Sequence, residues 1–171
     1  MTARNLRPSQ PGALGDAFKR IRILEAVVTA PLPTTERELL TTPGSTNIGN
    51  GFNADLPWAY LQGDVLLDLS TPTLPTVIEA GIYAVTLGVQ GSALTVGGIY
   101  QVIFWMDQTG DSAMVVASSP PSVTADPDPE VTVAMTYYVP AGGILEVAVV
   151  NGDGVAARDF NLNSAVVQRI T

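Results

Sequence analysis

From residue 58 onward the chain alternates apolar and polar residues with the two-residue period of a β-strand. Tyr83, Val85 and Leu87 share one face of such a run, and Val131 and Val133 share one face of another. The pattern predicts at least eight short strands, at 64–69, 81–89, 99–106, 113–117, 131–138, 144–150, 158–162 and 164–170.

Turn-forming segments separate these runs, among them GG at 97–98, AGG at 141–143 and NGDG at 151–154. No helical periodicity lies between the runs. Parallel strands need crossover connections, which are usually helices, so the pattern favours an antiparallel sandwich over a parallel α/β fold. Residues 58–171 are therefore predicted to form an all-β domain.

The first 30 residues follow a different pattern. Residues 1–12 contain Pro8 and Pro11 and are predicted to form an extended arm. Apolar side chains then recur at the a and d positions of a heptad, which predicts a short amphipathic helix that ends before Pro31. The seam consists of Leu14, Ala17, Ile21, Leu24 and Val28. Such a short helix is marginal in water, so we expect it to trimerise and attach the protein, or to pack on its own domain.

Residues 31–57 are predicted to be a connector loop. This segment contains four prolines, and residues 43–51 have the composition of a loop. The pattern allows one short strand near 38–41.

Charge is divided unevenly along the chain, whose formal net charge is −8. Residues 1–37 carry six basic and three acidic side chains, whereas the remaining residues carry two basic and 13 acidic ones. We expect so acidic a body to repel nucleic acid and anionic membranes. The basic arm, with Arg4, Arg7, Lys19, Arg20 and Arg22, either docks on an acidic protein surface or solvates one face of the helix.

The residue types that are absent narrow the possible chemistry. The chain has no histidine and no cysteine, which excludes Ser–His and Cys–His catalysis, disulfides and the usual zinc sites. It has neither a glycine-rich phosphate loop nor a Gly-x-Ser-x-Gly motif. We therefore expect no enzyme and no cofactor.

The sequence also bears on localisation. No apolar run approaches the roughly 20 residues that a membrane-spanning helix needs. No secretion leader is visible, because no apolar core follows Arg4 and Arg7. We expect synthesis in the cytoplasm without membrane insertion.

Three groups of polar side chains bear on metal binding. They are Asp126, Asp128 and Glu130; Asn151, Asp153 and Asp159; and Asp107 with Asp111. Calcium needs roughly six to eight oxygen ligands on a loop that can wrap around it, and prolines stiffen the first group. The glycines of the second group are foremost a hairpin signal. We predict solvated loops and no metal site.

Trp58 and Tyr60 lie at the junction of the connector and the body. Exposed rings at this position would suit stacking on a sugar. Packing in the core is the interpretation that we favour, because aromatic side chains supply large buried areas.

Three segments of the body have features in common with one family. They are VIEAGIYAV at 77–85, YVPAGGILEV at 138–147 and FNLNSAVVQRI at 160–170. In order and spacing they resemble the jelly roll of the tumour necrosis factor and complement globular-head superfamily. The resemblance implies an antiparallel jelly-roll sandwich that assembles as a homotrimer around a threefold axis.

The order of arm, heptad helix and jelly roll is similar to that of small virion proteins of tailed bacteriophages. The opening RNLRPSQP at 4–11, followed by LGDAF at 14–18, has the style of a minor tail protein. This resemblance implies that residues 1–30 attach and trimerise the protein while residues 58–171 are displayed.

These observations together predict a non-enzymatic, homotrimeric protein of the bacteriophage virion surface, of the minor tail or fibre type. Its expected partners are other virion proteins and a host cell-surface glycan. A capsid decoration protein that stabilises the head is the first alternative. A secreted carbohydrate-binding module is the second, and the missing leader counts against it.

Overall fold

The computed structural model describes residues 35–107, 112–122 and 128–170. The chain divides into two units, Met1–Thr34 and Thr35–Thr171, and every described residue belongs to the second. The predicted extended arm, the heptad seam and the five basic residues singled out above therefore lie outside the described residues.

The described residues form β-strands and contain no helix. The strands are β1 (Thr35–Thr41), β2 (Thr46–Ile48), β3 (Asn53–Asp55), β4 (Ala59–Gly63), β5 (Leu67–Asp68), β6 (Thr76–Val77), β7 (Gly81–Gly91), β8 (Ile99–Met106), β9 (Ala113–Ser118), β10 (Glu130–Val139), β11 (Leu145–Gly152) and β12 (Arg158–Ile170). The predicted strands between 81 and 150 agree with β7 to β11 to within two residues at each end.

The strands make two main sheets. The first has the order β10-β7-β12-β1-β4, with β2 added beside β12, and the second has the order β3-β11-β8-β9. β5 and β6 form a separate ribbon. All pairings are antiparallel, and the chain crosses repeatedly from one sheet to the other, which is the arrangement of a jelly-roll sandwich. The predicted fold class is confirmed for the body.

Inward side chains of both sheets form one apolar core. Tyr100 of β8 packs against Phe160 of β12, with ring centroids 5.2 Å apart, and so joins the two sheets. Its hydroxyl donates to the carbonyl of Val89 at 2.7 Å. Trp58 packs against Phe104 with ring centroids 6.3 Å apart. These rings fill the space between the layers and fix their separation.

Strands occupy much of the segment 31–57, for which the sequence predicts a connector loop. β1 pairs with β12 on one side and with β4 on the other, and its inward positions include Glu38 and Leu40. The charged side chain at an inward position breaks the apolar alternation, which is why the pattern around 35–41 reads as only a short strand.

β12 is one strand of 13 residues where the sequence predicts two. A bulge lies between Leu162 and Ser164, so that both Leu162 and Ala165 point into the core. The bulge inserts one extra residue, Asn163, which is exposed. The break in the sequence alternation at residue 163 therefore marks a bulge inside one continuous strand and not the end of a strand.

Candidate functional site

The sandwich has two ends, and β7 runs from one to the other. At the proximal end, Ile82 pairs with Ile170, which in turn pairs with Thr35, the first described residue. At the distal end, Gly91 pairs with Phe160. The 11 residues of β7 extend over roughly 34 Å at about 3.4 Å per residue. The peptide bond that joins the body to residue 34 is thus at the proximal end, far from the distal loops.

Three loops converge at the distal end: residues 49–52, 92–98 and 153–157. We call them the distal loops. The N–H of Gly154 donates to Asn50 Oδ1 at 2.9 Å, which joins the third loop to the first. Thr95 donates its N–H at 2.6 Å and its hydroxyl at 2.8 Å to Asp153 Oδ1, which joins the second loop to the third.

The buried side-chain amide of Asn151 also holds these loops together through hydrogen bonds. Its Nδ2 donates to the carbonyls of Ile48 at 2.8 Å and Ala156 at 3.0 Å. Its Oδ1 accepts the N–H of Asp153 at 3.0 Å, and its own N–H donates to the carbonyl of Phe52 at 3.0 Å. With every polar group of this buried side chain bonded, the network costs little desolvation and holds the loops in one arrangement.

Asp153 forms an ion pair at the centre of the network. Its Oδ2 lies 3.1 Å from Arg158 Nη2, and the carboxylate side chain is fully buried. Burial by itself would raise its pKa, but the hydrogen bonds from Thr95 and the interaction with Arg158 hold the pKa of Asp153 below its ordinary value. The group is therefore a charged structural clamp.

The tips of the distal loops are apolar. Phe52 is 69% exposed, Val96 is 66% exposed and Val155 is 74% exposed. The Phe52 ring lies against Gly49, where a Cβ atom would come within 3.1 Å of ring atom Cδ2. The only charged residue in the three loops is Asp153, which is buried and paired. The tips of the distal loops thus present apolar side chains and no exposed charge.

The proximal end instead carries a cluster of charges. Arg169 lies between Glu36, at 2.7 Å from its Nε, and Glu79. The hydroxyl of Tyr83 donates to the carbonyl of Glu79 at 2.6 Å. These side chains line a cavity of about 80 Å³. The hydrogen bond to Glu79 raises the pKa of Arg169, which therefore stays charged.

Glu38 lies fully buried beside this cluster, a feature that sequence reasoning missed. Its Oε2 accepts the N–H groups of Leu66 at 2.8 Å and Leu67 at 3.0 Å, while its Oε1 has no hydrogen-bond partner. Burial raises the pKa of Glu38, and the two N–H groups oppose that shift. The side chain thus accepts two backbone N–H groups of the segment 64–69, in which only Leu67–Asp68 forms a strand, so the predicted strand is shorter than expected.

The outer face of the first sheet has an apolar row at the proximal end. Tyr138, Ile82 and Ile170 are cross-strand neighbours on β10, β7 and β12, and all three are exposed. A second row, two residues further along each strand, contains the polar or charged side chains of Gln168 and Arg37. The first row is a candidate contact between copies of the chain.

Trp58 is buried, so its predicted packing is confirmed. Tyr60 is 48% exposed, and its hydroxyl donates to the carbonyl of Gly63 at 2.7 Å. The pair therefore offers no two-ring platform for a sugar, and the exposed distal ring belongs to Phe52. Gly49 and Gly51, which both precede Phe52, are the sequence signal for an exposed tip at this position.

The prediction of solvated loops holds for only part of the acidic groups. Glu130 and Asp159 lie on strands β10 and β12. Asn151, Asp153 and Asp107 are buried, so the prediction is wrong for them.

Asp128 accepts the N–H of Ala93 at 3.2 Å, and Asp159 accepts the Asn47 amide at 2.8 Å. Asp126 and Asp111 lie outside the described residues. Within the described ranges, no three or more His, Cys, Asp or Glu side chains are grouped to hold a metal ion. In the same ranges, no helix is long and apolar enough to span a membrane.

Solved structures that are similar to this chain include a vertex protein and murine APRIL. The PRD1 vertex protein P5 matches with a TM-score of 0.55 at 15% identity, covering 80% of this chain and 97% of that chain. Murine APRIL at pH 5.0 matches with a TM-score of 0.51 at 13% identity, covering 75% and 99%. The body is a tumour necrosis factor-like jelly roll. No family model and no curated protein sequence matches the chain, so the similarity concerns the fold.

Proposed function

We propose that the protein is a non-enzymatic structural component of a bacteriophage virion. In this proposal residues 1–30 attach it to the particle and the distal end of the jelly roll faces outward. The main support is the position of Thr35 at the proximal end, with the apolar tips of the distal loops at the other end. The similarity of fold to the PRD1 vertex protein P5 adds support for a location in the virion.

The proposed assembly is a homotrimer. Exposed apolar rows on a sheet are an association hazard unless a partner covers them, and a closed symmetric assembly does so without leaving a free end. The row of Tyr138, Ile82 and Ile170 is the surface that we assign to this contact. The partner that anchors the trimer is an acidic surface of another virion protein, which suits the basic residues of the arm.

The assembly is tested by light scattering on Ile82→Asp. Wild-type protein is expected to give the mass of about three chains, and the charged variant a lower mass, because the interface would bury an unpaired carboxylate. Val116→Asp is the matched control, since Val116 is 48% exposed on the other sheet. A monomeric wild type, or equal loss of mass in both variants, would contradict the assigned face.

Attachment is tested by purifying particles made with variant protein and blotting for it. Deletion of residues 1–30 is expected to leave a folded body, because β1 begins at Thr35, and to abolish incorporation. Replacing the predicted seam residues Ile21 and Leu24 by aspartate is expected to have the same effect. Ala26→Asp is the matched control, because residue 26 falls at the f position, opposite the seam. Normal loading of the truncated protein would contradict the proposed anchor.

A head location is the second candidate function, favoured by the word vertex in the name of the structurally similar PRD1 protein. In that case the protein decorates or stabilises the capsid. Separating heads from tails before blotting distinguishes the two locations, because a minor tail protein would follow the tails.

A further inference from the structure

We propose that the distal end binds a neutral saccharide that stacks on the ring of Phe52. The inference rests on the proposed function, in which this end faces the host, and it names the class of ligand that the host supplies. The contact is made by the distal loops, which are residues 49–52, 92–98 and 153–157.

The ring of Phe52 is held as a platform. Its backbone N–H donates to the carbonyl of Gly49 at 3.1 Å, and its carbonyl accepts the N–H of Asn151 at 3.0 Å. The ring lies against Gly49, where an added Cβ atom would lie 3.1 Å from ring atom Cδ2, so a larger residue there would shift the ring by a few tenths of an ångström. The backbone of Phe52 is therefore held in place, and because 69% of the residue remains exposed, its ring is open to a ligand. An apolar ring face is what the C–H groups of a sugar pack against.

The surroundings of the ring supply neutral hydrogen-bonding groups. Asn50 and Asn53 are exposed on either side of Phe52. The N–H groups of Gly51, Gly97 and Gly154 are bonded within the protein, and so is Asn50 Oδ1. The groups that face a ligand are therefore the Nδ2 of Asn50 and the side-chain amide of Asn53. Sugar hydroxyls need donors and acceptors of this kind, a few of which suffice to orient a ligand that also makes apolar contact.

Charge at this end favours a neutral sugar over an acidic one. Asp153 is neutralised by Arg158, while Asp128 and Asp159 at the margin are exposed and carry no ion pair to a basic residue in the described ranges. An anionic saccharide would approach these carboxylates with repulsion, whereas a neutral one pays no such cost. The bonded network of Asn151 and Asp153 holds the loops before binding, which reduces the entropy lost on association.

The test uses the full-length protein and an immobilised panel of neutral oligosaccharides, followed by saturation-transfer NMR on those that bind. Wild type is expected to bind at least one member, with saturation passing to the C–H protons of the sugar when the aromatic protons of the protein are irradiated. Phe52→Leu is expected to weaken binding about tenfold, because it keeps an apolar side chain but loses the ring face. Phe52→Trp is expected to keep or strengthen binding. Gly49→Ala, which shifts the ring by a few tenths of an ångström, is expected to weaken binding less than Phe52→Leu does.

Met114→Ala, at a side chain 57% exposed on the second sheet, is the matched control and should bind like wild type. No binding to any neutral member at millimolar concentration overturns the proposal. So does equal affinity of Phe52→Leu and wild type, which would point to an apolar protein contact. Blotting of particles made with Phe52→Ala separates this outcome from the virion proposal, because that variant should load normally whether or not the sugar binds.

Discussion

Both ends of the sandwich use a buried carboxylate to hold backbone N–H groups, but only one carboxylate has a cation beside it. At the distal end Asp153 binds Thr95 and pairs with Arg158. At the proximal end Glu38 binds Leu66 and Leu67 and leaves Oε1 without a hydrogen bond. Asp153 is therefore an ion-paired carboxylate whose pKa is lowered. Glu38 is a buried carboxyl without a cation, and its pKa is raised.

Asp153, at the distal end, is expected to contribute more to the stability of the fold than Glu38 does. Asp153→Ala would leave Arg158 without its partner and the N–H of Thr95 without an acceptor, while the Thr95 hydroxyl keeps the carbonyl of residue 153. Breaking a buried pair of this kind costs about 3 kcal/mol, measured as the change in the free energy of unfolding by denaturant titration. Asp153→Asn keeps an acceptor for Thr95 and should lose less. If Asp153→Ala lowered the free energy of unfolding by less than about 1 kcal/mol, the result would contradict this role of Asp153.

The proximal carboxyl is expected to contribute less. Glu38→Leu removes the acceptor of two buried N–H groups and should lower the free energy of unfolding by about 2 kcal/mol. Glu38→Gln keeps an acceptor and removes the buried charge, so its stability at neutral pH should stay within about 1 kcal/mol of wild type. If both variants lost the same amount, the charge of Glu38 would matter more than its hydrogen bonds, and the contrast between the two ends would disappear.

The smallest of these effects is a difference in pH dependence. The folded state raises the pKa of Glu38, so this group's contribution declines as the pH rises above its ordinary value of 4.5. The folded state lowers the pKa of Asp153, so that contribution is present above 3.8 and is lost as the pH falls through the lower, folded-state pKa. Thermal melting across this range should lose the first trend in Glu38→Gln and the second in Asp153→Asn. Parallel profiles for wild type and both variants would contradict the opposite shifts.

The sequence predicts much of the sheets and little of these two ends. Strands such as β7 and β8 are visible because one face repeats apolar residues every second position. β1 is obscured because Glu38 occupies an inward position, and the acceptor role of that residue depends on Leu66, 28 positions away. The glycine turn near Asn151 is visible as a hairpin signal. The hydrogen bond from the Asn151 side chain to the carbonyl of Ile48, 103 positions earlier, forms only when the two sheets pack together.

The orientation of the molecule on the particle is open to direct measurement, because the chain has no cysteine. Val155→Cys introduces a thiol at the distal end, at a side chain 74% exposed, and Ile78→Cys introduces one at the proximal end, at a side chain 49% exposed. Both variants should react with a maleimide as free protein. On intact purified particles, Val155→Cys is expected to label fully and Ile78→Cys only after the particles are dissociated. Labelling of Ile78→Cys with protection of Val155→Cys would reverse the orientation and contradict the proposal that the distal end faces outward.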